Sequence, residues 1–186
     1  MSTKTYGEGF QAIKSSVMTN YLTLSGSPSP TSENSRFLAT LAELTDRTIV
    51  AAPDIADLPV FQPDRDKAPW PVSVLEFRVA LAAASAVIIS TPAYLHNIPG
   101  VLKNALDWLA SSGELYDKPT LVFTLTPGAP RGVRARQSLL WSLEALNARV
   151  VAESPLYQSE LRYGEGGGLL AGDTVDLLRE TLSLLP

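Results

Sequence analysis

The chain has 186 residues and a mass of 20.0 kDa, enough for one well-buried core. It contains no cysteine and a single histidine, His96, which excludes disulfides, thiolate chemistry and a histidine-rich metal centre. A formal net charge of -4 without a basic stripe argues against nucleic acid, and no apolar run approaches the roughly 20 residues of a membrane-spanning helix.

Charged residues make up only 18% of the chain, low for a fully solvated surface, so a homodimer or homotetramer is expected. Residues 1–19 are polar and without period, and read as a flexible leader. They lack the apolar centre of a secretory signal, and a cytoplasmic protein is expected.

From Tyr21 onward, strand-like apolar runs alternate with helix-period segments, the pattern of βα units feeding a parallel sheet. The first strand, Tyr21 to Leu24, enters a loop rich in hydroxyls: Ser25, Ser27, Ser29, Thr31, Ser32 and Ser35, with the amide of Asn34. A helix follows near Ser35, with Phe37, Leu38, Leu41 and Leu44 on one face. Thr48 to Ala52 reads as a short buried strand, and Pro53 to Trp70 as a long surface connection. The second helix runs from Val72 to Ala83 with Val74, Leu75, Phe77 and Leu81 towards the core. Ala86 to Ser90 is continuously apolar, as a strand covered on both faces should be. Pro99 then opens a helix through Val101, Leu102, Leu106 and Leu109. A strand over Thr120 to Thr124, a loop from Leu125 to Gly132, and a helix carrying Leu139, Leu140, Leu143 and Leu146 come next. Arg149 to Ala152 is the fifth strand. After the glycines of residues 164–168, a helix over Thr174 to Leu184 closes the chain.

Five strands with intervening helices predict one α/β domain over residues 20–186: a three-layer, doubly wound, flavodoxin-like parallel sheet of strand order 2-1-3-4-5. Ligands of such sheets bind beyond the carboxyl ends of the strands where the order reverses, here between strands one and three. The first loop leads into a helix N-terminus, whose unpaired amides and positive dipole end favour an anion. Without a lysine or P-loop spacing, a monophosphate fits this loop better than a triphosphate with Mg²⁺. An ordinary Ser/Pro turn with helix capping is the alternative.

The loop after the third strand, Thr91-Pro92-Ala93-Tyr94-Leu95-His96-Asn97-Ile98-Pro99-Gly100-Val101-Leu102-Lys103-Asn104-Ala105-Leu106-Asp107-Trp108, closely resembles the signature of the NAD(P)H-dependent FMN reductase family. The family's Gly-Ser-x-x-x-x-Ser-x-Asn spacing also falls on Gly26, Ser27, Ser32 and Asn34. The resemblance implies an FMN-dependent oxidoreductase that passes hydride from NADPH or NADH to flavin N5, and on to free flavin, a quinone or a similar small-molecule acceptor. It implies FMN phosphate binding by Ser25, Ser27, Ser29, Ser32, Asn34 and Ser35, with Pro92, Ala93, Tyr94, Leu95 and His96 along the isoalloxazine. Thr126, Pro127 and Gly128 occupy the place of the family's third loop. No acid–base residue is implied. The family's glutamate is Ala93 here, its Asn-Gly pair is Leu95-His96, and an arginine often found in the phosphate loop is Ser29. Loss of glycine at position 96 removes easy access to positive φ, so a changed loop shape is expected.

Lys103, Asn104, Asp107 and Trp108 share a helix face that the resemblance implies is a dimer contact. One of Arg131, Arg134 and Arg136 suits the 2′-phosphate of NADPH, and a solvated helix start is the other reading. Trp70 and Trp141 read as core or interface residues. A flavin-binding electron carrier and a flavodoxin-fold module that has lost flavin stay open as alternative functions.

Overall fold

Runs without polar alternation form the middle of the sheet in the computed structural model, which describes residues 20–186. The leader expected over residues 1–19 lies outside the described residues. β3 (Ala86–Thr91) and β4 (Pro119–Thr126) are buried at every position, as strands with helices on both faces must be. β1 (Asn20–Ser25) lies between β3 and β2 (Thr48–Ala51), and β5 (Arg149–Tyr157) pairs with β4. Every pairing is parallel and the order is β2-β1-β3-β4-β5, as the sequence predicts.

Two layers cover the sheet. Alternate β3 residues point to opposite faces: Val87 and Ile89 join one core cluster, Ala86 and Ile88 the other. The first cluster is completed by α2 (Val72–Ala83), α3 (Gly100–Asp107) and α4 (Val133–Ala145), through Phe77, Leu81, Leu102, Leu106, Leu139 and Leu143. The second is completed by α1 (Glu33–Thr40) and α5 (Asp173–Leu182), through Phe37, Leu38, Leu178 and Leu182. The rings of Phe37 and Phe123 meet edge to face at 5.3 Å, the geometry that aromatic quadrupoles favour.

Several expectations are corrected. β2 is not a buried strand: it is an edge, with Thr48, Val50 and Ala51 exposed. β4 continues to Thr126 and β5 to Tyr157, because their pairing holds residue by residue beyond the apolar runs. Thr126 therefore ends a strand and does not lie in a loop. On α2 Leu75 faces solvent, while Arg78 is buried in the core layer.

That arginine is buried because the connection after β2 folds onto it. Its guanidinium donates to Asp66 Oδ1 at 2.8 Å and to the Trp108 carbonyl at 2.5 Å, and lies 3.9 Å from Glu114. Ser111 Oγ and Trp70 Nε1 also donate to the Asp66 carboxylate, at 2.6 and 3.3 Å. Burial alone raises the pKa of this carboxyl. The bonds from Ser111 and Arg78, the Arg78 charge and the Trp70 bond outweigh it, and hold the group below its usual range.

A second clasp uses the helix face expected to be a dimer contact. Asn104 Oδ1 accepts from the Phe61 amide at 2.7 Å, its Nδ2 donates to the Pro59 carbonyl at 3.0 Å, and Trp108 Nε1 donates to the same carbonyl at 2.8 Å. Trp108 is fully buried. Asn104 and Trp108 thus hold this chain's own connection, and only Lys103 and Asp107, paired with each other, face outward. Trp70 and Trp141 are exposed, so neither is a core residue.

Candidate functional site

Two loops meet where the order of strands reverses. The loop after β1 begins with Gly26, whose amide donates to the Ser90 carbonyl at 2.7 Å. A Cβ at Gly26 would stand 2.7 Å from Thr91 Oγ1 and 2.8 Å from Leu102 Cδ2, so only glycine lets the loop lie this close to β3. Ser32 caps α1, accepting from the Ser35 amide at 3.2 Å. The amides of Glu33 and Asn34, first in the helix, have no preceding turn to bond.

The hydroxyls divide by task. Ser35 Oγ donates to Ser25 Oγ at 3.0 Å and lies 3.0 Å from Ser32 Oγ. Ser27 Oγ accepts from the Ser29 amide at 3.3 Å, and Ser29 Oγ lies 3.3 Å from Thr31 Oγ1. Asn34 is buried, and its Oδ1 accepts from Ser90 Oγ at 2.7 Å. That bond ties α1 to β3 and leaves Nδ2 as the donor.

The loop after β3 turns back at once. Tyr94 and Asn97 exchange two backbone hydrogen bonds, of 2.8 and 2.9 Å, closing a two-residue turn over Leu95 and His96. Both residues are left-handed, with φ of 50° and 65°. The loop therefore adopts a positive-φ turn of the kind suited to Asn-Gly, although neither residue is glycine or asparagine. Position 96 reaches positive φ without glycine, because the two cross-turn bonds and the buried Ile98-Pro99 segment behind them hold the backbone.

A cleft of about 480 Å³ lies between these loops and the end of β4, within the roughly 300–1,000 Å³ of small-molecule sites. It brings together Ser27, Ser32, Asn34, Pro92, Ala93, Tyr94, Leu95, His96, Thr126 and Pro127. Ser25 and Ser35 instead line a smaller cavity of about 350 Å³ between α1 and β2, and support the cleft wall through their bonds. Ser29 and Gly128 line neither. Sequence reasoning missed Glu33, Leu125, Gly132 and Gln158, and left Arg131 unresolved among three arginines. Only Glu33 carried a signal, as the residue after the helix cap. Gln158 enters because β5 runs longer than its apolar segment.

The cleft carries few formal charges. Glu33 faces Arg36 at 3.7 Å, and the Arg36 guanidinium lies 3.7 Å above the ring of Tyr163. Burial raises the pKa of the Tyr163 phenol and Glu33 raises it further, against a smaller opposing effect of Arg36. Arg136 pairs with Glu153 at 3.0 Å, and Arg131 lies in the cleft wall. No group of three or more metal-ligating side chains occurs among the described residues. The donor set, hydroxyls and amides at a helix N-terminus beside a half-apolar slot, fits a planar ring carrying a monophosphate.

The family model described as NADPH-dependent FMN reductase matches residues 19–159. The NADH:(hydroxy)cinnamate reductase subunit CrdA of Vibrio ruber is 34% identical over 158 residues, covering 81% of this chain and 77% of that protein. A quinone reductase of Escherichia coli K12 is 33% identical over 135 residues, covering 70% and 72%. Among solved structures, the flavoenzyme NAD(P)H:(acceptor) oxidoreductase FerB of Paracoccus denitrificans superimposes with a TM-score of 0.73 over 89% of this chain and 93% of that one, at 24% identity. That last likeness shows the fold.

Proposed function

This chain belongs to the NADPH-dependent FMN reductase family, and we propose that the cleft between the β1, β3 and β4 loops is its FMN site. The protein is an FMN-dependent NAD(P)H oxidoreductase. The observation that carries the site assignment is the meeting of the Ser27–Asn34 loop and the Pro92–His96 turn in one cleft at the strand-order reversal.

FMN, when bound, supplies the hydride-accepting and electron-passing chemistry between the nicotinamide and an acceptor such as free flavin or a quinone. The chain supplies placement. Ser27, Ser32 and the first amides of α1 hold the phosphate, and Asn34 Nδ2 adds a donor fixed by the Ser90 bond. Charge–dipole attraction at the helix start replaces the missing phosphate-loop arginine. Pro92, Ala93 and the half-exposed Tyr94 form the wall for the ring, with Leu95 and His96 at its rim and Thr126 and Pro127 across from it. No side chain is required to move a proton.

We further propose a cytoplasmic homodimer or homotetramer in which residues 20–186 act as one FMN-binding domain. Exposed apolar side chains such as Val60 and Trp141 support association. No helix among the described residues is long and apolar enough to cross a membrane. The test is titration of the purified protein with FMN, followed by NADPH and NADH oxidation with a quinone acceptor. Saturable FMN binding that Ser27→Ala weakens about tenfold, the loss of one hydrogen bond to a charged group, supports the site. FMN binding that Ser27→Ala and Tyr94→Ala leave unchanged refutes it.

A further inference from the structure

We propose that Arg131 binds a phosphate of the nicotinamide dinucleotide and so sets affinity for the reductant without contributing to FMN affinity; this rests on the FMN reading above. Of the residues lining the cleft only Glu33 and Arg131 carry a formal charge. They belong to different walls: Glu33 follows the β1 loop, and Arg131 follows β4. β3 stands between those strands, so the walls are two strand spacings apart, about 10 Å. Arg131 is thereby assigned a second anion, apart from a phosphate held by Ser27, Ser32 and the start of α1.

The arginine is placed and yet unspent. Its amide donates to the Gly128 carbonyl at 3.2 Å, and its carbonyl accepts from Thr126 Oγ1 at 3.4 Å. These bonds curl the segment back over the end of β4. The side chain is exposed, and no carboxylate among the described residues pairs with it. Arg136, one turn further on, is held by Glu153 at 3.0 Å and is not available in the same way. Arg134 is exposed but does not line the cleft. In a chain with a net charge of -4, a lone cation on the wall opposite the flavin phosphate is positioned for the second anionic ligand of the reaction. A guanidinium also suits phosphate through its paired donors.

The experiment uses the FMN-loaded protein with NADP⁺ and NAD⁺ as non-reducing probes, read by flavin absorbance, for wild type, Arg131→Gln and Arg134→Gln. FMN affinity is measured separately for each. Arg131→Gln is expected to weaken NADP⁺ about tenfold and to flatten its dependence on NaCl, with FMN affinity within twofold of wild type and Arg134→Gln unaffected. Loss for NADP⁺ alone identifies the 2′-phosphate as the partner, and equal loss for NAD⁺ identifies the diphosphate. Unchanged affinity for both dinucleotides, or a loss confined to FMN, overturns the proposal. Wild type that fails to bind FMN at all defeats the underlying reading, a result distinct from either.

Discussion

Replacing Leu95 by Asn and His96 by Gly should raise stability, because the turn holds two ordinary side chains in the left-handed region. Their φ values of 50° and 65° cost about 1–2 kcal/mol each relative to residues that visit this region freely. Glycine at position 96 returns about 0.4–1 kcal/mol through the entropy of the unfolded chain. Leu95 is 99% exposed, so its removal forfeits no packing. The net expectation is about 2 kcal/mol, or a Tm higher by about 4–8 °C at 2–4 °C per kcal/mol for a chain of this size. Thermal unfolding followed by circular dichroism measures it. Leu95→Ala, which trims the side chain but stays left-handed, should lie within about 0.5 kcal/mol of wild type. A double variant with unchanged or lower Tm would show that the backbone there is not strained, and the account of this turn would be wrong.

Gly26→Ala places a methyl against Thr91 and Leu102, and should cost about 1–3 kcal/mol in urea unfolding while weakening FMN binding. Asp66→Asn strands Arg78, whose side chain is 6% exposed beside an 8% exposed carboxylate; loss of about 3 kcal/mol is expected, with Glu114 limiting the damage. Because the folded Asp66 carboxyl titrates below its ordinary value of 3.8, its contribution is present above that pH and lost as pH falls through the lower folded value. Unfolding at pH 7 and at pH 3 should therefore show the Asn variant's deficit shrinking in acid. Asn104→Ala removes the ties to Phe61 and Pro59 and should destabilise the fold by about 2–3 kcal/mol. Sedimentation should show its oligomeric state unchanged, since this side chain faces inward.

Local sequence patterns marked the centre of the sheet, because a strand covered on both faces is largely apolar, and β3 and β4, buried throughout, carry only Ser and Thr among their apolar residues. The Gly26–Ser27 and Ser32–Asn34 spacing and the Thr91–Trp108 block likewise marked the two loops that border the cleft, since both are contiguous. Tertiary structure alone decided which members of those loops face the cleft. Ser25 and Ser35 read the same as Ser27 and Ser32 in sequence, yet only the latter pair lines the cleft, while Ser25 and Ser35 border the cavity beside it. It decided that Asn104 and Trp108, which the family resemblance implied for a dimer contact, bond to the returning segment at Pro59 and Phe61. It also separated Arg131 from Arg134 and Arg136, which depends on a carboxylate on β5 reaching one of them. The turn at Leu95-His96 shows the same division. Residue preference argues against positive φ there, and two cross-turn hydrogen bonds with buried chain behind them outweigh that preference, because a conformation held from both ends tolerates a local cost that an isolated segment does not.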